Sequence, residues 1–445
     1  MNRAHEYILN IILVGLVALT LFLSNILWID VKSSHIKSNQ RIDESEYATE
    51  NLFRELLKPQ SMVANYNGKH HVIYNFNDIY NSYQQTVYDV FSNSTAKNGQ
   101  LISKEEYIKL QNIPSLVLLY SSSVDLSIIV NLIGQSESND SPIPIKEIYL
   151  SREFIVVGDG TNHYKFERGV NVDFTLSSLA EENLPDYKNL NEIYQVNKNL
   201  YFPSQNYYLL KSVNYSNDLK SLMLQESYVS NLSSRFLNQN DAHIRDIVQD
   251  DSHSLIYGNE YLTLYSTGVI EYEDLNPLDT TVRNLYASLK SSISFISNKV
   301  GNANIYLSAI TPIEKEDNLG YRFSFNLYED SIPVLINDSQ NPYYIEVEAY
   351  GERVTHFRQN YRKSISESPA LEKVRAVSLE RIVELSPTVF TVPFDEVLNN
   401  ISDICVVYID NTSHGQTELK PSIFIKYNNR HLFFSMETGR LLMEK

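Results

Sequence analysis

From Ile8 to Trp28 the chain carries no charged side chain, and this stretch, ILNIILVGLVALTLFLSNILW, limits what the rest can be. Coiled as an α-helix it is about 31 Å long, enough to cross a hydrocarbon core of ~30 Å. Tyr7 and Trp28 stand at its two ends, where amphipathic rings anchor at the headgroups. A cleaved export signal is the competing explanation, but its apolar region runs to roughly 7–15 residues and ends in small residues. Ser24-Asn25-Ile26-Leu27-Trp28 offers no such site, and no cysteine follows to carry a lipid. The sequence therefore predicts a cytoplasmic leader, 1–7, and a retained single-pass transmembrane helix, 8–28.

Charge beside the helix is a weak guide to orientation, with Arg3 and Glu6 before it and Lys32, Lys37 and Arg41 after it. Long domains translocate largely regardless of such charges, so the N-terminus is expected in the cytoplasm and the bulk outside the cell membrane. At 100° per residue, Asn10, Ser24 and Asn25 fall within an arc of about 100°, with Val14, Val17 and Leu21 between them. An amide in lipid gains up to ~1 kcal/mol by bonding across to another helix, so these six residues are candidates for facing a partner's membrane helix. The alternative places Asn10 and Ser24-Asn25 at the headgroups, where polar groups are tolerated.

The remaining length, within 445 residues that are 43% hydrophobic, is enough for several packed domains. A net charge of −17 repels phosphate backbones and excludes nucleic acid as an expected partner. Cys405 is the sole cysteine, so neither an internal disulfide nor a cysteine-based zinc site can form. Helical stripes grouped with antiparallel hairpins predict an α+β fold, divided into about three exported domains at 29–200, 201–277 and 278–445. Ser103-Lys104-Glu105-Glu106 reads as a capping box, Phe154–Val157 and Tyr164–Phe166 as a hairpin, and Glu260–Tyr265 with Val269–Tyr272 as another. Long helices are expected over 280–299 and 371–385, with a final sheet from 405–409, 423–427 and 431–434.

A search for chemistry yields no catalytic residues, no metal ligands and no cofactor. Cys405 lies in an apolar strand-like run between Asp403 and Asp410, which predicts a buried structural thiol. His70-His71 reads as a surface pair, because neighbours on a strand point to opposite faces and cannot share one ion. Asp241, His243, Asp246, Asp250, Asp251 and His253 form the densest acid and histidine cluster. A solvated acidic helix is the expectation there, with a weak divalent site as the alternative.

Several segments resemble the YycH (WalH) family of regulatory proteins. The short leader and the single helix ending in Trp28 are similar, as is Tyr328-Glu329-Asp330-Ser331-Ile332-Pro333-Val334-Leu335, with Ser331 where the family usually has glycine and Leu335 where it has phenylalanine. The alternation from Tyr344 to Tyr350, then Gly351 and Arg353, continues the likeness, as does Leu419-Lys420-Pro421 ahead of Phe424. The resemblance implies a non-enzymatic membrane accessory of the YycG/YycF (WalK/WalR) two-component system of Gram-positive bacteria. It further implies partnership with YycI (WalI), a YycI-like α+β C-terminal domain, and contact with the sensor histidine kinase YycG through membrane helices to tune cell-wall metabolism. An exported cell-wall hydrolase and a ligand-binding ectodomain are the competing functions; a deep apolar pocket lined by tyrosines would favour the latter.

Overall fold

Hairpin turns set where the chain reverses. Two-residue turns that match the twist of their strands need positive φ at both central positions, which Asn and Gly tolerate best. Asn67-Gly68 supplies φ of 52° and 68°, and Asn428-Asn429 supplies 48° and 63°. Glu316-Asp317 does the same at 49° and 64° without either favoured pair, held by the long strands on each side.

The computed structural model describes residues 58–74, 76, 78–83, 99–125, 144–182, 184–196, 198–204, 207–211, 213–237, 244–301, 304–329, 331–338, 342–365, 371–411 and 415–444. The predicted helix 8–28 lies outside them. Among the described residues no helix is long and apolar enough to cross a membrane.

Helices and antiparallel sheets give the expected α+β architecture. The first sheet contains β1 (Ser61–Tyr66), β2 (Lys69–Ile73), β3 (Gln100–Ile102), β4 (Ser115–Asp125), β5 (Pro144–Leu150), β6 (Ile155–Gly158), β7 (His163–Phe166), β8 (Tyr187–Asn189) and β9 (Tyr201–Pro203), in the order β3-β7-β6-β5-β4-β1-β2-β8-β9. Two small sheets follow. One pairs β10 (Tyr207–Lys211) with β22 (Leu371–Arg375); the other places β11 (Asn214–Asn217) between β21 (Lys363–Ser364) and β24 (Gly415–Glu418).

The second large sheet runs from β12 (Arg245–Val248) through the meander β13 (Ser252–Tyr257), β14 (Glu260–Tyr265) and β15 (Val269–Asp274) to β20 (Arg353–Asn360) and β19 (Ile345–Tyr350). It continues through β17 (Asn318–Glu329), which also pairs with β16 (Ile305–Lys315), to β18 (Ile332–Ile336), β23 (Ile401–Asp410), β25 (Lys420–Tyr427), β26 (Arg430–Ser435) and β27 (Leu441–Glu444). Among the described pairings only β18 with β23 is parallel. Helices Glu226–Leu237 and Leu285–Lys299 pack Phe236 and the half-buried Phe295 against Tyr272 and Phe357 of this sheet, with ring centroids 5.2–6.1 Å apart.

Two predicted helices differ. The one expected from 280 begins at Leu285, because the Asn284 side chain accepts the Ala287 N–H at 2.9 Å and caps it there. The one expected over 371–385 is strand β22 followed by helix Leu379–Leu385, capped by Ser378. Lys373 and Arg375 are exposed while Val374 and Ala376 are buried, so the period of two prevails up to the cap.

Candidate functional site

The first sheet meets the second where β9 lies beside β23 and β4 beside β16. One apolar core runs through the junction, from Val63 and Tyr149 to Val406 and Tyr408. Polar pins cross it. The Tyr74 hydroxyl accepts the Val406 N–H at 2.9 Å, and the Lys198 ammonium donates to the Ile401 carbonyl at 2.8 Å and to that of Asn399. Residues 402–406 of β23 are bordered by two openings of opposite character.

The polar opening is a cleft of about 310 Å³. Lys104 begins the helix that Ser103 caps by accepting the Glu106 N–H at 3.1 Å, and Lys146 projects from β5. Lys198 comes from the loop before β9, and Ser402, Asp403 and Cys405 come from β23. On the first-sheet side, Glu147 accepts from the Tyr107 hydroxyl at 2.9 Å and faces His163 Nε2 at 2.9 Å, while the His163 ring stacks on Tyr107 at 3.9 Å. Burial, then Glu147, pushes the Tyr107 hydroxyl pKa far up, so it stays a donor. Asp403 opens to the cleft yet is walled in by protein, and that enclosure raises its carboxyl pKa against the pull of Lys146.

The other opening is a crevice of about 480 Å³ lined by Tyr74, Tyr187 and Tyr208 with Leu210, Val406 and Met436, and its charged residues, Asp78 and Glu182, are both acidic. Tyr187 and Tyr208 meet edge to face at 5.9 Å. Burial drives the Tyr187 hydroxyl well above its usual range, and the Tyr208 hydroxyl donates to the carbonyls of Ser204 and Asp186 at 3.1 and 3.2 Å. These rings present an apolar wall with polar edges.

The candidate partner-facing residues Asn10, Val14, Val17, Leu21, Ser24 and Asn25, and the anchors Tyr7 and Trp28, lie outside the described residues, as do Asp241 and His243. Asp246 and His253 do meet, at 2.7 Å, but on strands rather than on the expected acidic helix. Ile247 and Val248 favour extended backbone and pair with Ser254 and His253. Asp250 and Asp251 sit exposed in the turn, and no group of three metal-ligating side chains occurs among the described residues.

His70 and His71 are buried, not a surface pair, because both faces of β2 are covered. His70 bonds Asn65 Oδ1 at 2.7 Å and Glu192 at 2.9 Å on one side. His71 stacks on Tyr66 at 4.9 Å and bonds the Pro185 carbonyl at 3.2 Å on the other. Cys405 is half-buried rather than fully buried, since β23 turns part of its thiol toward the cleft. Enclosure and Asp403 together lift the Cys405 pKa far above the ordinary thiol value, which leaves it protonated and a poor nucleophile. Sequence reasoning missed the lysines and His163 altogether: they lie on separate elements with no local spacing to betray them.

No family model and no curated protein matches the chain by sequence. A solved structure does match: the crystal structure of YycH from Bacillus subtilis, at TM-score 0.50 and 12% identity, covering 85% of this chain and 96% of that one. The chain shares a YycH-like fold. An uncharacterized protein from Eubacterium rectale is similar at TM-score 0.36 and 10% identity, over 53% of this chain and 86% of its own.

Proposed function

We propose that the chain is a non-enzymatic, membrane-anchored regulator of a sensor histidine kinase of the YycG (WalK) type, working beside a YycI (WalI)-like partner. The observation that carries this reading is the fold shared with YycH along nearly its whole length. The family-like segments around Pro333 and Pro421 agree with it, and both fall in the second large sheet, at β18 and β25. In this reading the helix 8–28 packs against kinase helices and favours one of two signalling arrangements, and the exported body biases that preference through its contacts.

A photo-crosslinker placed at Asn10 or Asn25 of the full-length chain in its native membrane tests the idea. The expected outcome is a covalent adduct with the kinase. Recovery of the mature chain in the culture medium without its first thirty or so residues would sink the reading, because no helix would remain to pack. The tyrosine-lined crevice favours a second reading, a ligand-binding ectodomain that does not touch a kinase. For that alternative the chain stays in the membrane but crosslinks to no kinase.

A further inference from the structure

The polar cleft gathers Lys104, Lys146 and Lys198 against Glu147 and Asp403, in a chain whose net charge is −17. Glu147 is already occupied by Tyr107 and His163. Lys104 and Lys198 share the cleft wall, and burial first, then the Lys104 charge, holds the Lys198 pKa below that of an ordinary lysine. Like charges crowded together in so acidic a protein are relieved by a bound anion.

A second observation is independent of the lysines. His163 lines the same cleft at 4% exposure, and its Nδ1 has no hydrogen-bond partner among the described residues. Asn199 Oδ1, also in the cleft wall, is in the same position. With the His163 Nε2 hydrogen directed at Glu147, both unpartnered atoms are acceptors. Buried polar atoms are ordinarily satisfied, and these two residues border a space large enough for a small molecule that brings a hydroxyl.

We propose that this cleft binds a small hydroxyl-bearing phosphate or carboxylate, its anionic group held by Lys104, Lys146 and Lys198 and its hydroxyl donating on the side of His163 and Asn199. The inference stands whether or not the chain regulates a kinase. Calorimetric titration of the full-length chain in a neutral detergent tests it, with inorganic phosphate and citrate as probes of the two chemistries. Glycerol phosphate, a lipid-type head without its tails, asks whether a phosphate carried on a larger molecule is accepted.

Saturable binding of at least one probe is expected, weakened tenfold or more in Lys104→Ala/Lys146→Ala. Lys109→Ala, an exposed lysine on the same helix that does not line the cleft, should leave it unchanged. Asp403→Asn removes an opposing acid and should tighten binding several-fold, a gain that misfolding cannot imitate. The proposal is overturned if none of the probes saturates, if the double lysine variant binds as tightly as the parent, or if Asp403→Asn weakens binding.

Discussion

The two large sheets share a core, and each carries beside it a buried cluster of different chemistry. Under the second sheet, Phe236, Phe295, Tyr272 and Phe357 make an aromatic cluster in which contact area does the stabilising. Beneath the first, a polar chain runs through the core. Glu192 bonds His70, His70 bonds Asn65, and the Asn65 amide donates to Gln111 at 2.9 Å and Ser115 at 3.0 Å. The Tyr201 hydroxyl closes it by donating to Gln111 at 2.8 Å. Aromatic packing tolerates small shifts, whereas a buried polar chain fixes its partners' orientation and is costly when any link is missing. The sheet that holds this polar chain also holds Glu147 and His163 at the cleft.

Phe357 is fully buried with two rings of the aromatic cluster within 5.6 Å. Phe357→Ala should destabilise the fold by ~3–5 kcal/mol, read from the shift in urea midpoint, because lost area and an unfilled cavity add. A loss below ~1 kcal/mol would mean the cluster relaxes into the space and packs no tighter than a loose interior.

A smaller effect sharpens the contrast. Asn65→Ala leaves His70 Nδ1 without a partner, while Gln111 keeps Tyr201 and Ser115 keeps the Ile113 carbonyl, and should cost about 1–3 kcal/mol. Replacing His70 as well, as Asn65→Ala/His70→Phe, should cost less than the sum of the single changes, since an apolar pair strands fewer polar groups. Strict additivity in the same unfolding titration would show that the chain of bonds does not act as a unit.

Local pattern and long-range assembly were unequally legible. The hairpin around Gly158-Asp159-Gly160, the meander of β14 and β15, and the last sheet strands were readable because period-two alternation and turn residues are local signals. Strand β22 was misread as the start of a helix, because the leucine and valine content of 371–385 outweighed the alternation of Lys373, Val374, Arg375 and Ala376. Burial of His70 and His71 could not be read from β2 alone: Glu192 covers one face, and Tyr66 and the Pro185 loop the other. The cleft was hidden most completely. Lys104, Lys146, Lys198 and Asp403 come from four elements, and only the docking of β23 against the first sheet brings them together.

The smallest expected effect is on the response to acid, and it falls on His71 in the first sheet. Burial holds the His71 pKa below its ordinary 6.5, outweighing the Pro185 carbonyl and Asp186, which pull upward; Lys69 and His70 add to the lowering. Its Nε2 is buried without a partner among the described residues, so a proton arriving there meets no acceptor. With the folded pKa depressed, the unfolded chain takes up its proton first as pH falls. The stability contribution is therefore intact above 6.5 and is lost as pH drops through that value toward the folded pKa. His71→Phe keeps an aromatic ring against Tyr66 and removes the titration. Urea midpoints measured between about pH 7.5 and 5.5 should fall less steeply in the variant than in the parent. Equal slopes would assign the acid sensitivity of this range to other histidines and leave the first sheet no more pH-responsive than the second.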